Sequence, residues 1–235
     1  MKRLLPLSLS LLVAAAVLST PASANDNQKA PTNFSEAERA LFMSEHLASV
    51  KPPTTLRYAF RKSGSLEPGF DDKVSLMLSR QADGSCCDSK AEFLEGPRRL
   101  VLPEVQGAKG NPVILYFLER DVREMSRLTK GQSSYFRKRI RMAVFQGASV
   151  RETTVTYGGK AVPAREIRVS PYSDDPLRVR FETLADKQYV FTLSDAVPGG
   201  VIAIVSLVKG AGAAGGDTTP LLREELRIDG ASFNP

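Results

Sequence analysis

Residues 111–147, NPVILYFLERDVREMSRLTKGQSSYFRKRIRMAVFQG, decide the architecture. Asn111-Pro112 is a specific helix start. An asparagine caps free backbone N–H groups, and a proline in the first turn lacks an N–H that would go unpaired anyway. Ile114, Leu118, Val122 and Met125 then recur at helical spacing. Gly131 supplies the stop, so the helix runs for about 18 residues, or roughly 27 Å. Ser133 or Ser134 caps a second helix, with Phe136, Ile140, Ala143 and Val144 on one face and Gly147 at its end. The reading is a helical hairpin inserted between groups of strands.

On both sides of the hairpin the apolar period changes from helical to two. Over residues 54–61, Leu56, Tyr58 and Phe60 face one way while Arg57 and Arg61 face the other, the pattern of a half-buried antiparallel strand. Residues 73–80 alternate likewise through Val74, Leu76 and Leu78, and the loop carrying Gly64 and Pro68-Gly69 joins the two. Short strands over 91–94 and 98–102 follow, split by Gly96-Pro97. After the hairpin, strands are expected at 149–157 and 160–170 around a Gly158-Gly159 turn, and then at 188–193, 201–208 and 221–228. Asp174 or Asp175 before Pro176 starts a short helix through Leu177, Phe181 and Leu184, with a strand over 177–183 as the alternative. Upstream, Ser35 opens a helical pattern with Glu36 and Glu38 in its first turn, running through Leu41, Phe42, Leu47 and Val50 to the stop at Pro52-Pro53. No regular strand–helix alternation calls for a doubly wound sheet. The expected class is α+β: a curved, largely antiparallel sheet, an open half-barrel, with the inserted hairpin and the N-terminal helix packed on one face.

The N-terminus reads as an address. Lys2 and Arg3 precede an apolar run over 4–18 and an A-x-A-like site at Ala22-Ser23-Ala24, the layout of a cleaved secretory signal peptide. The organisation is then a signal peptide over 1–24, a loose polar tail over 25–33 and one domain over 34–235. The apolar run over 201–208 is too short to span a bilayer. These readings point to a periplasmic protein with no transmembrane segment in the mature chain.

Composition narrows the chemistry. Of 235 residues, 42% are hydrophobic and 25% charged, an ordinary globular balance, and one His excludes any site needing two imidazoles. Two Cys exclude a disulfide-rich scaffold and a four-Cys zinc site. His46 would have to serve any Ser-His-Asp or Cys-His nucleophile system, but no motif surrounds it and it reads as a partly exposed helical residue. Cys86 and Cys87 are the redox candidates, with a vicinal bridge, two free thiols or bonds to another chain left open. Gly210-Ala211-Gly212-Ala213-Ala214-Gly215 spells G-x-G-x-x-G. Pro220 interrupts the helix and parallel strand that a dinucleotide site requires, so the run reads as a loop between strands. Glu166, Asp174, Asp175 and Asp195 stand in no paired-carboxylate motif. No catalytic constellation, cofactor or metal is expected.

The formal charge of +6 is concentrated. Residues 119–141 hold eight bases against three acids. Arg120, Arg123, Arg127 and Lys130 are spaced as one stripe on the first helix, and Arg137, Lys138, Arg139 and Arg141 crowd the second. These eight are the candidate binding residues, suited to anionic lipid headgroups, a phosphate-bearing envelope polymer or an acidic protein partner. Pairs such as Glu119 with Arg123 would neutralise part of the face. Nucleic acid is not expected.

Asn111-Pro112, the run Phe117-Leu118-Glu119-Arg120-Asp121-Val122-Arg123, Tyr135-Phe136-Arg137 and residues 189–200 resemble exported proteins of Gram-negative bacteria, a resemblance that brings no biochemical role. The order of signal peptide, leading helix, antiparallel strands and covering helices is similar to that of the LolA/LolB-type lipoprotein carriers. That resemblance implies an acyl-chain cavity between sheet and helices. The expected function is therefore a non-enzymatic periplasmic protein that binds a lipid or other amphipathic envelope ligand. The alternatives are an envelope-assembly or protein-interaction factor without a cavity, and an envelope hydrolase.

Overall fold

The computed structural model describes residues 33–210 and 219–232. The expected signal peptide, all of the expected tail except Asn33, and most of the glycine run lie outside the described residues.

Eight long strands and one short one form a single antiparallel sheet. They are β1 Thr54–Ser63, β2 Phe70–Arg80, β3 Cys86–Phe93, β4 Ser149–Tyr157, β5 Lys160–Val169, β6 Gln188–Leu193, β7 Val201–Val208, β8 Leu222–Ile228 and β9 Ala231–Ser232. Their order is β3-β2-β1-β8-β7-β6-β5-β4-β9. The chain steps outward from β1 to the β3 edge. It crosses one face as the helical hairpin α2 (Val113–Thr129) and α3 (Ser133–Gln146), then walks back from the β4 edge to the centre, where β8 pairs with β1. This is the expected α+β class, an open, unclosed sheet with the hairpin and the N-terminal helix on one face.

Alternation decides which face packs. Phe60 lies across from Leu226, which lies across from Ile204 and then Phe191 and Ile167, all buried against the helices. From above, α2 contributes Ile114, Phe117, Val122 and Met125, and α3 contributes Phe136, Ile140 and Val144. Ring contacts join Phe60 to Phe70, Phe93 and Phe117, and Phe136 to Tyr172 and Phe181. At about 25 cal/mol per Å² of apolar area, rings this deeply buried dominate the stabilising side of the balance. Buried side chains thus pack between helices and sheet, the region where the carrier resemblance implied an acyl-chain cavity.

Three local expectations change. The N-terminal helix is short: α1 (Glu36–Glu38) continues as one π turn over Arg39–Met43, and Ser44 is extended at ψ 141°. Its start is as expected, with Ser35 and Glu38 forming a capping box. Leu47 and Val50, read as helical, instead lie in a buried turn, because Leu47 N–H donates to the carbonyl of Lys109 at 3.0 Å. Residues 98–102 form no strand. A single bridge from Leu100 to Phe93 takes its place. Phe181 and Leu184 belong to a 3-10 segment over Arg178–Asp186, with Leu177 just before it, where Asp175 Oδ1 accepts from Leu177 N–H at 2.8 Å.

Candidate functional site

The eight bases of the hairpin are not one cationic surface. Arg120 points inward, 8% exposed, donating to Glu224 of β8 at 2.5 Å with its guanidinium 4.8 Å from the Phe60 ring centre. It belongs to a polar belt crossing the sheet beneath α2. The register places Lys62, Glu224, Ser206 and Tyr189 side by side on β1, β8, β7 and β6. Asp121, beside Arg120 on α2, accepts from Lys187 Nζ at 2.5 Å and from the Tyr189 hydroxyl. Burial raises the Glu224 carboxyl above its ordinary range, with Arg120 beside it pulling the other way.

The other bases divide in two. Arg123 and Arg137 both bind Glu119, at 3.2 and 2.8 Å. Arg127 binds Glu67 at 2.6 Å and Glu124 at 2.8 Å. Arg139 reaches buried Asp175 at 2.9 Å. Lys130, Lys138 and Arg141 pair with no acid among the described residues. Lys130 takes the left-handed cap position of α2, at φ 59°. Neutralisation thus goes further than the i,i+4 pairs legible in the sequence, since Glu67, Asp175 and Glu224 arrive from distant elements.

The remaining candidates also find places. His46 is buried and non-helical, which corrects the expectation of an exposed helical residue. Its Nδ1 accepts from Asn111 N–H at 3.2 Å and its Nε2–H donates to the carbonyl of Ala40 at 2.8 Å, so both nitrogens hold backbone. Cys86 and Cys87 are joined as a vicinal disulfide across a cis peptide. The carboxylates disperse: Asp175 is buried under Tyr135 and Arg139, Glu166 lies on the opposite sheet face, and Asp195 is exposed. No group of three or more His, Cys, Asp or Glu suited to a metal ion exists among the described residues. Nor is any described helix long and apolar enough to cross a membrane.

The face of the sheet away from the helices carries the feature the sequence reading missed. Along β1 and β2 that face is polar, with Thr55, Arg57 and Arg61 beside Asp71, Lys73 and Ser75. A solvated antiparallel face is expected to look like this. An opening of about 590 Å³ lies beside β1–β3, where Thr54, Thr55, Asp88 and Lys90 line it together with Pro53, Met77, Leu78 and Val105. Along β6 and β7 the same face turns apolar. Val190 lies opposite Val205, Thr192 opposite Ala203, and Leu207 follows. Ala203 is 2% and Val205 8% exposed although no described helix covers them. A second small core forms here from Ala164, Val197, Ile202 and Ala203, closed by Val155, Tyr157 and Ala231. The closure comes from the chain's last turn: β9 pairs with the far edge at Thr156 and Tyr157, and Gly158 N–H donates to Gly230 at 2.7 Å.

Between these walls runs a trough of about 470 Å³. Val155, Val190, Ile202, Ala203, Val205 and Leu207 line it, together with Thr153, Thr154, Thr156 and Thr192. Charge sits at its rim. Arg151 and Arg168 both bind Glu166, at 2.7 and 2.6 Å, and hold its carboxyl below the ordinary range. On β8, Arg223 binds Glu225 at 2.7 Å and Arg227 binds the other oxygen of Glu225. Desolvation pushes the Arg227 guanidinium down to about 10. A signal for the trough was present in the sequence: β7 reads VIAIVSLV without alternation, the mark of a strand buried on both faces.

No family model and no curated protein matches the chain. Among solved structures, lipoprotein LppX of Mycobacterium tuberculosis is similar at a TM-score of 0.35 and 9% identity, over 86% of this chain and 98% of that one.

Proposed function

We propose that the protein is an exported, non-enzymatic binding protein of the cell envelope, and that its outer-face trough takes the apolar part of an amphipathic ligand, a lipid or lipid-like molecule. The observation that carries this reading is the apolar row Val190, Val205 and Leu207 on a sheet face no described helix covers. Exposed strands without a partner place polar side chains there, as β1 and β2 do. A volume of about 470 Å³ falls within the range of small-molecule sites. Arginines at the rim, Arg168 and Arg223, suit an anionic headgroup. Two carboxylates offset them, so the ligand gains most from apolar burial.

The test is titration of the purified protein with a fluorescent fatty acid. Saturable uptake is expected. Thr192→Trp, which plugs the trough from a partly exposed position, should reduce the affinity tenfold or more, and Val205→Asp should abolish uptake. Absence of uptake by the parent protein, or equal uptake by Thr192→Trp, overturns the reading in favour of a protein-interaction role.

A further inference from the structure

Large apolar side chains are exposed unevenly. Val179, Val101 and Leu115 are exposed singly, whereas Phe34 (43%), Phe42 (39%), Met43 (51%) and Phe145 (50%) belong to two packed elements, the α1 segment with its flanks and the end of α3. Ser35 Oγ donates to the carbonyl of Val144 at 3.1 Å, which ties the start of the α1 segment to the end of α3. Neither residue is needed for the core, because α3 packs through Phe136, Ile140 and Val144. Exposed apolar side chains gathered on two packed elements mark a candidate interaction surface.

Charge indicates the partner. Lys138, Arg141 and Phe145 are spaced i, i+3 and i+7, one exposed stripe on α3. Five of the eight hairpin bases are tied to acids, whereas Lys138 and Arg141 have none among the described residues. The bases left unpaired on α3 are thus the two that precede the exposed ring by one and two turns on the same stripe. The α1 side sums to −1 over Glu36, Glu38 and Arg39: Glu36 is exposed, the Glu38 carboxylate accepts from Ser35 N–H at 2.9 Å, and Arg39 donates to the Phe34 carbonyl.

We infer that this face docks on an anionic lipid bilayer, with Phe145 and Phe34 entering the interface and Lys138 and Arg141 meeting phosphate headgroups. Aromatic insertion beside unpaired bases is how a surface element holds a charged membrane without spanning it. A second copy of the chain suits the face less well, since a two-fold contact would set Lys138 and Arg141 against their own counterparts. The patch is separate from the trough, which lies on the other face of the sheet, so docking and ligand uptake are independent properties.

Co-sedimentation of the full chain with vesicles decides the matter, all variants carrying the same residues 1–33. Binding is expected to vesicles of phosphatidylglycerol in phosphatidylethanolamine, to fall with added salt, and to be weak on phosphatidylcholine alone. The expected loss is about fivefold for each base neutralised. Lys138→Glu with Arg141→Glu should abolish binding, and Phe145→Ser should weaken it at least fivefold. All three positions are solvent-exposed, so uptake of the fluorescent fatty acid reports that these variants remain folded. Equal binding to neutral vesicles, unchanged binding by the Lys138/Arg141 variant, or self-association that Phe145→Ser removes without any vesicle binding would overturn the inference. Trough variants such as Thr192→Trp should still bind vesicles, so failure of one proposal is distinguishable from failure of the other.

Discussion

At the scale of single residues, the least expected placement is His46. Burial lowers its pKa below 6.5, opposed by the hydrogen bond to the Ala40 carbonyl. The geometry agrees, because Nδ1 is the acceptor for Asn111 N–H and a proton there would break that bond. Asn111 in turn ties three segments together. Its Nδ2 donates to the Tyr58 hydroxyl at 2.9 Å and the Gly199 carbonyl at 2.8 Å, and its Oδ1 accepts from Val113 N–H at 3.1 Å. The sequence marked Asn111 as a helix cap, and it does serve the first turn of α2, but nothing local announced the strand and the turn on its other side. Since the folded pKa of His46 lies below the unfolded one, the unfolded chain binds more protons in the interval between them. Stability is therefore full above pH 6.5 and falls as pH drops through that interval toward the folded pKa. Urea midpoints measured between pH 7.5 and 5 should decline for the parent protein. His46→Gln, which keeps a donor and an acceptor without a titrating group, should flatten that part of the decline. An unchanged slope in His46→Gln would show that other groups cause it.

At the scale of elements, the belt beneath α2 sets how the helical hairpin sits on the sheet. Apolar ridges alone would let α2 slide by a turn at modest cost, whereas Arg120 meets Glu224 and Asp121 meets Lys187 and the Tyr189 hydroxyl below them. Removing one member of a buried pair leaves an uncompensated charge, at a cost of about 3–5 kcal/mol. Glu224→Leu is thus expected to destabilise the fold by that order. Adding Arg120→Met should recover much of the loss, and a double-mutant cycle from denaturant unfolding measures the coupling. Additive single effects would mean that the pair does not fix the helix. Most elements were legible because each carries its own period: β4, β6 and β7 run within their expected limits, and α2 and α3 follow their apolar spacing. The belt was not legible, since Arg120 and Glu224 are separated by 104 positions and a helical stripe of bases looks alike whether it faces water or a partner. The N-terminal helix was overextended for a related reason. Leu47 and Val50 fit a helical spacing, but their burial comes from a turn held by Lys109.

At the scale of the molecule, the two faces of one sheet solve different problems. The helix-covered face is packed with aromatic side chains and crossed by a buried belt of paired charge. The opposite face keeps an apolar trough, and the sheet bends far enough for β9 and Gly230 to meet the tip of the β4–β5 hairpin and wall it in. Sequence patterning gives inward and outward positions strand by strand, but not the coiling that turns an outward face into a trough. That property belongs to the whole sheet. It has a thermodynamic consequence. A ligand held by the folded trough and not by the unfolded chain stabilises the fold by mass action, about 2.7 kcal/mol at a hundredfold excess over Kd. For a chain of this size each kcal/mol raises Tm by roughly 2–4 °C, so a saturating fatty acid should raise it by roughly 5–10 °C. Thr192→Trp should lose most of that shift, while the double replacement at Lys138 and Arg141 should keep it. Differential scanning calorimetry with and without the fatty acid reads both. A shift that persists in Thr192→Trp would place the ligand elsewhere, and the next place to test is the opening beside β1–β3.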